Sequence, residues 1–193
     1  MKSEPALITA RASVMQRAML ELRGYDVYVR EGYVGTLEDL LFDTACGQIL
    51  YLLVAGVAAR LESRVIVPIA CVRLTLPAGR KVFLNLSRAR FESGAGVWPL
   101  SAARSWVDRQ RIASSRAVAG FRVEAMDGAA GRVADLLVDT LPWCADYLIV
   151  DAAFEPLGNQ VIIPFDWVSS IDVERGAVRL RQPRAALRTA PRL

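Results

Sequence analysis

The feature that most constrains this chain is a gapless internal duplication. Residues 24–84 align with residues 120–180 at a constant offset, 120 − 24 = 96, and 19 of the 61 aligned positions are identical. The offset carries Gly32 to Gly128, Gly35 to Gly131, Asp39 to Asp135, Asp43 to Asp139, Tyr51 to Tyr147 and Pro68 to Pro164. Self-similarity at a fixed spacing means one structural unit used twice. A chain of 193 residues then divides into two units of roughly 60 to 70 residues, each with a thin core. Because 53% of the residues are hydrophobic, such units are expected to bury apolar surface on each other, on a second copy or on a partner.

Periodicity assigns the units to β-structure. Tyr25, Val27 and Val29 alternate with Asp26, Tyr28 and Arg30, and Glu31-Gly32 turns the chain into a second strand over Thr36 to Phe42. Ile49 to Val54, Arg64 to Ile69 and Lys81 to Leu86 read as further strands, and the second copy repeats the plan from Phe121 to Arg175-Gly176. Short strands at this spacing favour two tandem small antiparallel β-barrels, an all-β fold, over a βαβ sheet. The expected boundaries are an arm over 1–23, a barrel over 24–86, a linker over 87–119 that is partly helical around Ala102 to Arg111, a barrel over 120–182 and a basic tail over 183–193. In the arm, Val14, Met15, Ala18, Met19 and Leu22 suit one helix face, while Met19 to Leu22 suits a strand equally. The tail, QPRAALRTAPRL, is too polar and proline-broken to add a strand.

The motif G-x-x-V-x-x-x-D/E-G-x-x-G-x-L/V-x-D-L-L-x-D-T, followed by Tyr-Leu-x-Val and a V-I-x-P strand, occurs twice and resembles the PRC-barrel family. The second copy is the closer match, through Trp143 to Val150, where the first has Gly47 and Gln48. The resemblance implies a module for protein contacts. The family includes the cytoplasmic domain of the photosynthetic reaction-centre H subunit, a ribosome-maturation factor and tandem-barrel bacterial proteins, and the tandem group is the most similar. The motif residues are turn glycines and core positions, which identify a fold and not a reaction.

Side-chain chemistry points away from catalysis. Histidine is absent, which removes the commonest general base and metal ligand. The pairs Asp39/Asp43 and Asp135/Asp139 lie four strand steps apart, about 13 Å, too far for a paired-carboxylate hydrolase. They read as groups that bond backbone near turns. Gly32-x-x-Gly35 and Gly128-x-x-Gly131 lack the Lys-Ser/Thr and the helix of a phosphate loop, so they read as hairpin glycines. Cys46, Cys71 and Cys144 have no Cys-x-x-Cys spacing and read as buried, reduced thiols. No catalytic residue, metal or cofactor is expected.

The candidate partner-binding residues are Trp143, Trp167, Arg179, Arg181, Arg184, Arg188 and Arg192. Trp167 stands where the first copy has Cys71, so one copy does without it. The arginines belong to a run from Arg175 onward that contains no acidic residue. They suit either a solvated tail or an anchor for an acidic partner or anionic leaflet.

The longest apolar run, Ile49 to Ala59, is 59 − 49 + 1 = 11 residues, about half of what a bilayer core requires. The start of the chain, with Glu4, Pro5, Arg11 and Arg17, lacks the apolar stretch of a signal peptide. The expected location is cytoplasmic, peripheral to the inner membrane where a membrane complex is the partner. The leading functional expectation is a non-enzymatic interaction or scaffold subunit that binds a protein partner or itself and no small-molecule substrate, with the cytoplasmic face of a membrane complex such as a photosynthetic reaction centre as the docking site that the resemblance implies. The alternative is an RNA- or ribosome-associated factor, suggested by the net charge of +4 and by the maturation-factor resemblance.

Overall fold

The computed structural model describes residues 16–56, 63–101, 111–153 and 160–193. Val14, Met15 and all but the last residue of the helix expected over 102–111 lie outside them.

The first copy runs β1 (Gln16–Ala18), α1 (Met19–Leu22), β2 (Asp26–Val29), β3 (Gly32–Asp43), β4 (Ile49–Ala55), β5 (Arg64–Pro68), a 3-10 turn (Ile69–Cys71), β6 (Val72–Leu76), a second 3-10 turn (Pro77–Gly79), β7 (Lys81–Leu84), α2 (Arg88–Glu92) and the short β8 (Trp98–Pro99). The second runs β9 (Ile112–Ser114), α3 (Ser115–Val118), β10 (Arg122–Ala125), β11 (Gly128–Asp139), β12 (Cys144–Ala152), β13 (Gln160–Pro164), a 3-10 turn (Phe165–Trp167), β14 (Val168–Asp172), β15 (Ala177–Leu180) and α4 (Arg184–Arg188). The offset of 96 relates the two beyond the aligned 61 residues: β1 matches β9, α1 matches α3 and α2 matches α4.

Both sheets share a six-strand order, β5-β4-β3-β2-β7-β6 in the first and β13-β12-β11-β10-β15-β14 in the second, and the first adds β8 beyond β5. The fold is all-β, as the periodicity indicates. One pairing differs from the antiparallel expectation in each sheet. β2 runs parallel to β7, and β10 runs parallel to β15. Nor do the ladders close, because the two ends of each path are not hydrogen-bonded to each other among the described residues.

Alternation explains the cores. Val27, Val29, Val82 and Leu84 point inward from β2 and β7, and Val123, Ala125, Val178 and Leu180 do so in the second sheet. In the first, Leu41, Leu53, Ile66 and Ile112 form a buried cluster that Leu50, Tyr51 and Leu100 cover. The bulge between Val27 and Tyr28 recurs between Val123 and Glu124. Glycine is required beside it, because a Cβ on Gly35 or Gly131 would overlap the carbonyl oxygen of Ala55 or Asp151 on the adjacent strand.

The chain partitions into two compact units differently from the expected boundaries. One contains Met19–Thr44 and Gln48–Arg116; the other contains the residues up to Ala18, Ala45–Gly47 and Ala117–Leu193. The leading strand of each copy is exchanged. β9 pairs with β3 through Leu41↔Ser114, Phe42↔Ala113 and Asp43↔Ile112, and β1 pairs with β11 through the equivalent Leu137↔Ala18, Val138↔Arg17 and Asp139↔Gln16. The arm and the linker are therefore partly strand.

The tail also departs from expectation. α4 buries Leu187 completely, at the position that Phe91 fills in α2. Beyond α4, Val161 bridges Arg192, Ile162 N–H donates to the Pro191 carbonyl at 2.8 Å, and Leu193 N–H donates to the Gln160 carbonyl at 3.0 Å. Backbone hydrogen bonding needs no particular side chain, so a polar, proline-containing segment extends this edge.

Candidate functional site

The repeated aspartates are structural. Asp39 is buried, and its carboxylate accepts hydrogen bonds from the Leu40 N–H at 2.8 Å, the Ser115 hydroxyl at 2.5 Å, the Arg116 N–H at 3.2 Å and the Ser114 hydroxyl. It thereby fastens the exchanged strand β9 to β3. Asp135 Oδ1 likewise accepts from the Leu136 N–H at 2.8 Å, and Asp139 Oδ1 accepts from the Leu141 N–H two residues on, an Asx turn. These carboxylates serve backbone and hydroxyl donors.

The predicted partner-binding residues are scattered, and most are engaged within the fold. Trp143 is buried at φ +53, a left-handed position that Gly47 fills in the first copy, so it is a turn and core residue. Trp167 ends a 3-10 turn, is half-buried, and its carbonyl accepts the Arg181 N–H at 2.8 Å. Arg179 pairs with Glu124 at 3.4 Å, and Arg181 donates to the Asp166 carbonyl at 3.1 Å. Arg184 pairs with Asp127 at 3.6 Å, and its N–H donates to the same carboxylate at 2.8 Å. Arg188 closes α4, and Arg192 lies in the bridge to Val161.

A different surface was hidden in the register. On the outward face of the first sheet, Leu74 stands opposite Phe83, Phe83 opposite Tyr28, and Tyr28 opposite Tyr33, a continuous row across β6, β7, β2 and β3. The Tyr28 and Phe83 rings stack with centroids 5.3 Å apart, and Tyr33 meets Tyr28 edge-on at 5.9 Å. Leu74 is 43% exposed, Leu76 41% and Tyr33 46%. The row opens into a cleft of about 520 Å³ lined by Tyr28, Arg30, Glu31, Arg73, Phe83 and Asn85. Lys81 Nζ lies 5.2 Å from the Tyr28 ring centroid, and Arg30 donates to the neutral Asn85 Oδ1 at 2.8 Å. Arg30, Arg73 and Lys81 form no ion pair among the described residues.

The row ends on β6, which pairs with β7 alone among the described residues. Its other edge presents free strand backbone beside exposed leucines, an arrangement that recruits a further strand. Comparing the copies position by position exposes this site, because β6 reads VRLTL where β14 reads VSSID. Among the described residues no group of three or more histidine, cysteine, aspartate or glutamate side chains is placed to hold a metal, and no helix is long and apolar enough to cross a membrane.

The six-strand order with its exchanged further strand defines a small β-domain. Residues 19–84 match the PRC-barrel domain model, so a PRC-barrel domain occupies that part of the chain. No curated protein matches the chain.

Proposed function

We propose that this protein is a non-enzymatic interaction subunit, that its second half is a further domain of the PRC-barrel type, and that the aromatic row of the first half is its contact face. The equal strand orders, bulges and registers of the halves support the tandem reading. The observation that carries the contact face is the row Leu74-Phe83-Tyr28-Tyr33 beside an open strand edge. Apolar aromatic surface within a cationic rim suits protein contacts. The occupant is an extended, acidic segment of a protein partner. Its backbone would pair with β6, an apolar side chain would lie on the exposed Leu74 and Leu76, and carboxylates would meet Arg30, Arg73 and Lys81. A protein of the inner membrane surface fits this description where it exposes such a segment. RNA is the weaker candidate. The Tyr28 and Phe83 faces are turned to each other and Lys81 covers Tyr28, which leaves little open ring for a base.

Changing Tyr28→Glu together with Phe83→Arg installs the ion pair that the second half carries at the same positions. Partners captured from the native host by the unaltered protein and by this variant would be compared. The variant should lose a protein partner, which binds the unaltered protein more weakly at high salt and binds an Arg188→Ala control normally. Identical partner sets would overturn the contact face, and an RNA-dependent complex would favour the alternative.

A further inference from the structure

Cys46 lies in the turn between β3 and β4, and Cys144 opens β12. They are far apart in sequence yet belong to one compact unit. Cys144 Sγ is 3.9 Å from the Cys46 carbonyl oxygen, and the next residues are joined by the Ala145 N–H, which donates to the Gly47 carbonyl at 2.8 Å. Gly47 makes the approach possible. Its φ is +77, and a Cβ there would sit 2.6 Å from the Ala145 carbonyl oxygen and 3.3 Å from the Phe165 ring. Backbones this close bring two cysteine side chains within reach of the Cβ–Cβ separation of about 4 Å that a disulfide spans. Both thiols line a cavity of about 290 Å³ with Asp146, Tyr147, Phe165 and Asp166. Cys46 is exposed, against the expectation of buried inert thiols, and Cys144 is half-buried.

We propose that Cys46 and Cys144 form an oxidisable pair, a modification site that a peroxide converts into an intramolecular disulfide. The Cys46 thiolate attacks one oxygen of hydrogen peroxide. The S–O bond forms, the O–O bond breaks, and the departing hydroxide takes a proton to become water. Cys144 Sγ then attacks the sulfenic sulfur of Cys46. The S–S bond forms, the S–O bond breaks, and the second hydroxide leaves as water with the Cys144 proton, which the adjacent Asp146 carboxylate relays. In sum, two thiols lose two electrons and two protons, and one peroxide is reduced to two waters.

Burial, with the negative charges of Asp146, Cys46 and Asp139, pushes the Cys144 thiol up to about 11. It is therefore a poor first nucleophile, and the initial attack falls to solvent-facing Cys46. Burial likewise raises the Asp146 carboxyl, which improves it as the proton acceptor. Cys71, also raised mainly by burial, does not line this cavity and serves as the internal control.

The test treats the full reduced chain with stoichiometric hydrogen peroxide. The product should lose about 2 Da, keep one alkylatable thiol at Cys71, yield a proteolytic peptide joining Cys46 to Cys144, and revert with dithiothreitol. Cys71→Ser should behave the same. Cys144→Ser should instead leave a sulfenic acid at Cys46 that dimedone traps, and Cys46→Ser should give no disulfide. Gly47→Ala should slow closure about tenfold or more. The proposal is overturned if the linked peptide contains Cys71, if the unaltered protein gives only sulfinic or sulfonic Cys46 with Cys144 free, or if Cys144→Ser still loses about 2 Da within one chain.

Discussion

Two rows of side chains at the same register of the same strand order have opposite characters. In the first half the row is Leu74, Phe83, Tyr28 and Tyr33; in the second it is Ser170, Arg179, Glu124 and Ala129, with the Glu124–Arg179 ion pair in place of the ring stack. The residues facing inward from the same strands hardly differ, Val27 against Val123 and Val82 against Val178. The edges differ as the rows do. β14 carries Ser170 and Asp172, the latter paired with Arg175, where β6 exposes Leu74 and Leu76. A charged edge resists further pairing. The fold thus fixes one side of each strand and leaves the other to vary, and only the first half carries apolar side chains there.

The largest expected effects test whether the halves are equivalent where they look equivalent. Leu187 and Phe91 are fully buried at matching positions of α4 and α2. Leu187→Ala should cost about 3 kcal/mol of stability and Phe91→Ala about 4, read from urea midpoints. Deleting residues 183–193 should lower the unfolding temperature. A tail deletion that leaves stability unchanged would mean that α4 is not a core element, and the equivalence of the halves would stop at β15.

Next in size is Asp39→Ala. It removes the acceptor shared by the Ser114 and Ser115 hydroxyls and two backbone N–H groups, and each buried donor that loses its acceptor costs roughly 1 to 3 kcal/mol before relaxation. A net loss of about 3 kcal/mol is expected, and the Ser114→Ala/Ser115→Ala pair should lose less because the carboxylate keeps its N–H donors. Ala18 and Met19 stand at the matching positions in the second half, so that hydroxyl pair belongs to the first half alone. If the double serine variant equals Asp39→Ala, the hydroxyls and not the backbone hold β9.

The sequence carried the repeat, the β class and the structural reading of the aspartates, because identical glycines, alternating valines and Asx positions act locally. It hid whatever depends on pairing between distant segments. Tyr28 and Phe83 look like unrelated outward positions until the parallel register of β2 and β7 joins them. Cys46 and Cys144 look remote from each other until the Gly47 turn meets the start of β12. The tail read as solvated because seven of the last fifteen residues are arginine or proline, while the informative residue was the single Leu187 at the Phe91 position. Trp143 misled because an aromatic that the first copy does without suggested an interface, whereas it is buried at a left-handed turn where the first copy has Gly47.

A smaller effect is expected from moving the row. Glu124→Tyr with Arg179→Phe breaks a pair whose side chains are 41% and 47% exposed, and such surface pairs contribute at most about 1 kcal/mol. Stability should change by no more than that. Analytical ultracentrifugation should show new concentration-dependent association, because stacked rings then lie on a face that was polar. Adding Ser170→Leu should strengthen it. Unchanged behaviour would show that the row needs the cationic rim and open edge of β6 to bind anything.

The smallest effect concerns the turn that anchors α4. Asp127 accepts the Arg184 N–H at 2.8 Å, as Glu31 accepts the Arg88 N–H at 2.7 Å in the first half. That backbone hydrogen bond, assisted by the Arg184 guanidinium, holds the Asp127 carboxyl below its ordinary value. A carboxyl depressed in the folded state adds stability that is present above its unfolded value, near 3.9, and is lost as the pH falls through the lower folded value. The gap in unfolding temperature between the unaltered protein and Asp127→Asn should therefore be level above about pH 5 and shrink toward zero in stronger acid. Because the leading cause is a hydrogen bond and not long-range attraction, roughly 0.5 M salt should reduce the gap only in part. A gap that is the same at neutral and acid pH would show that the acceptor oxygen, which asparagine keeps, matters and the charge does not.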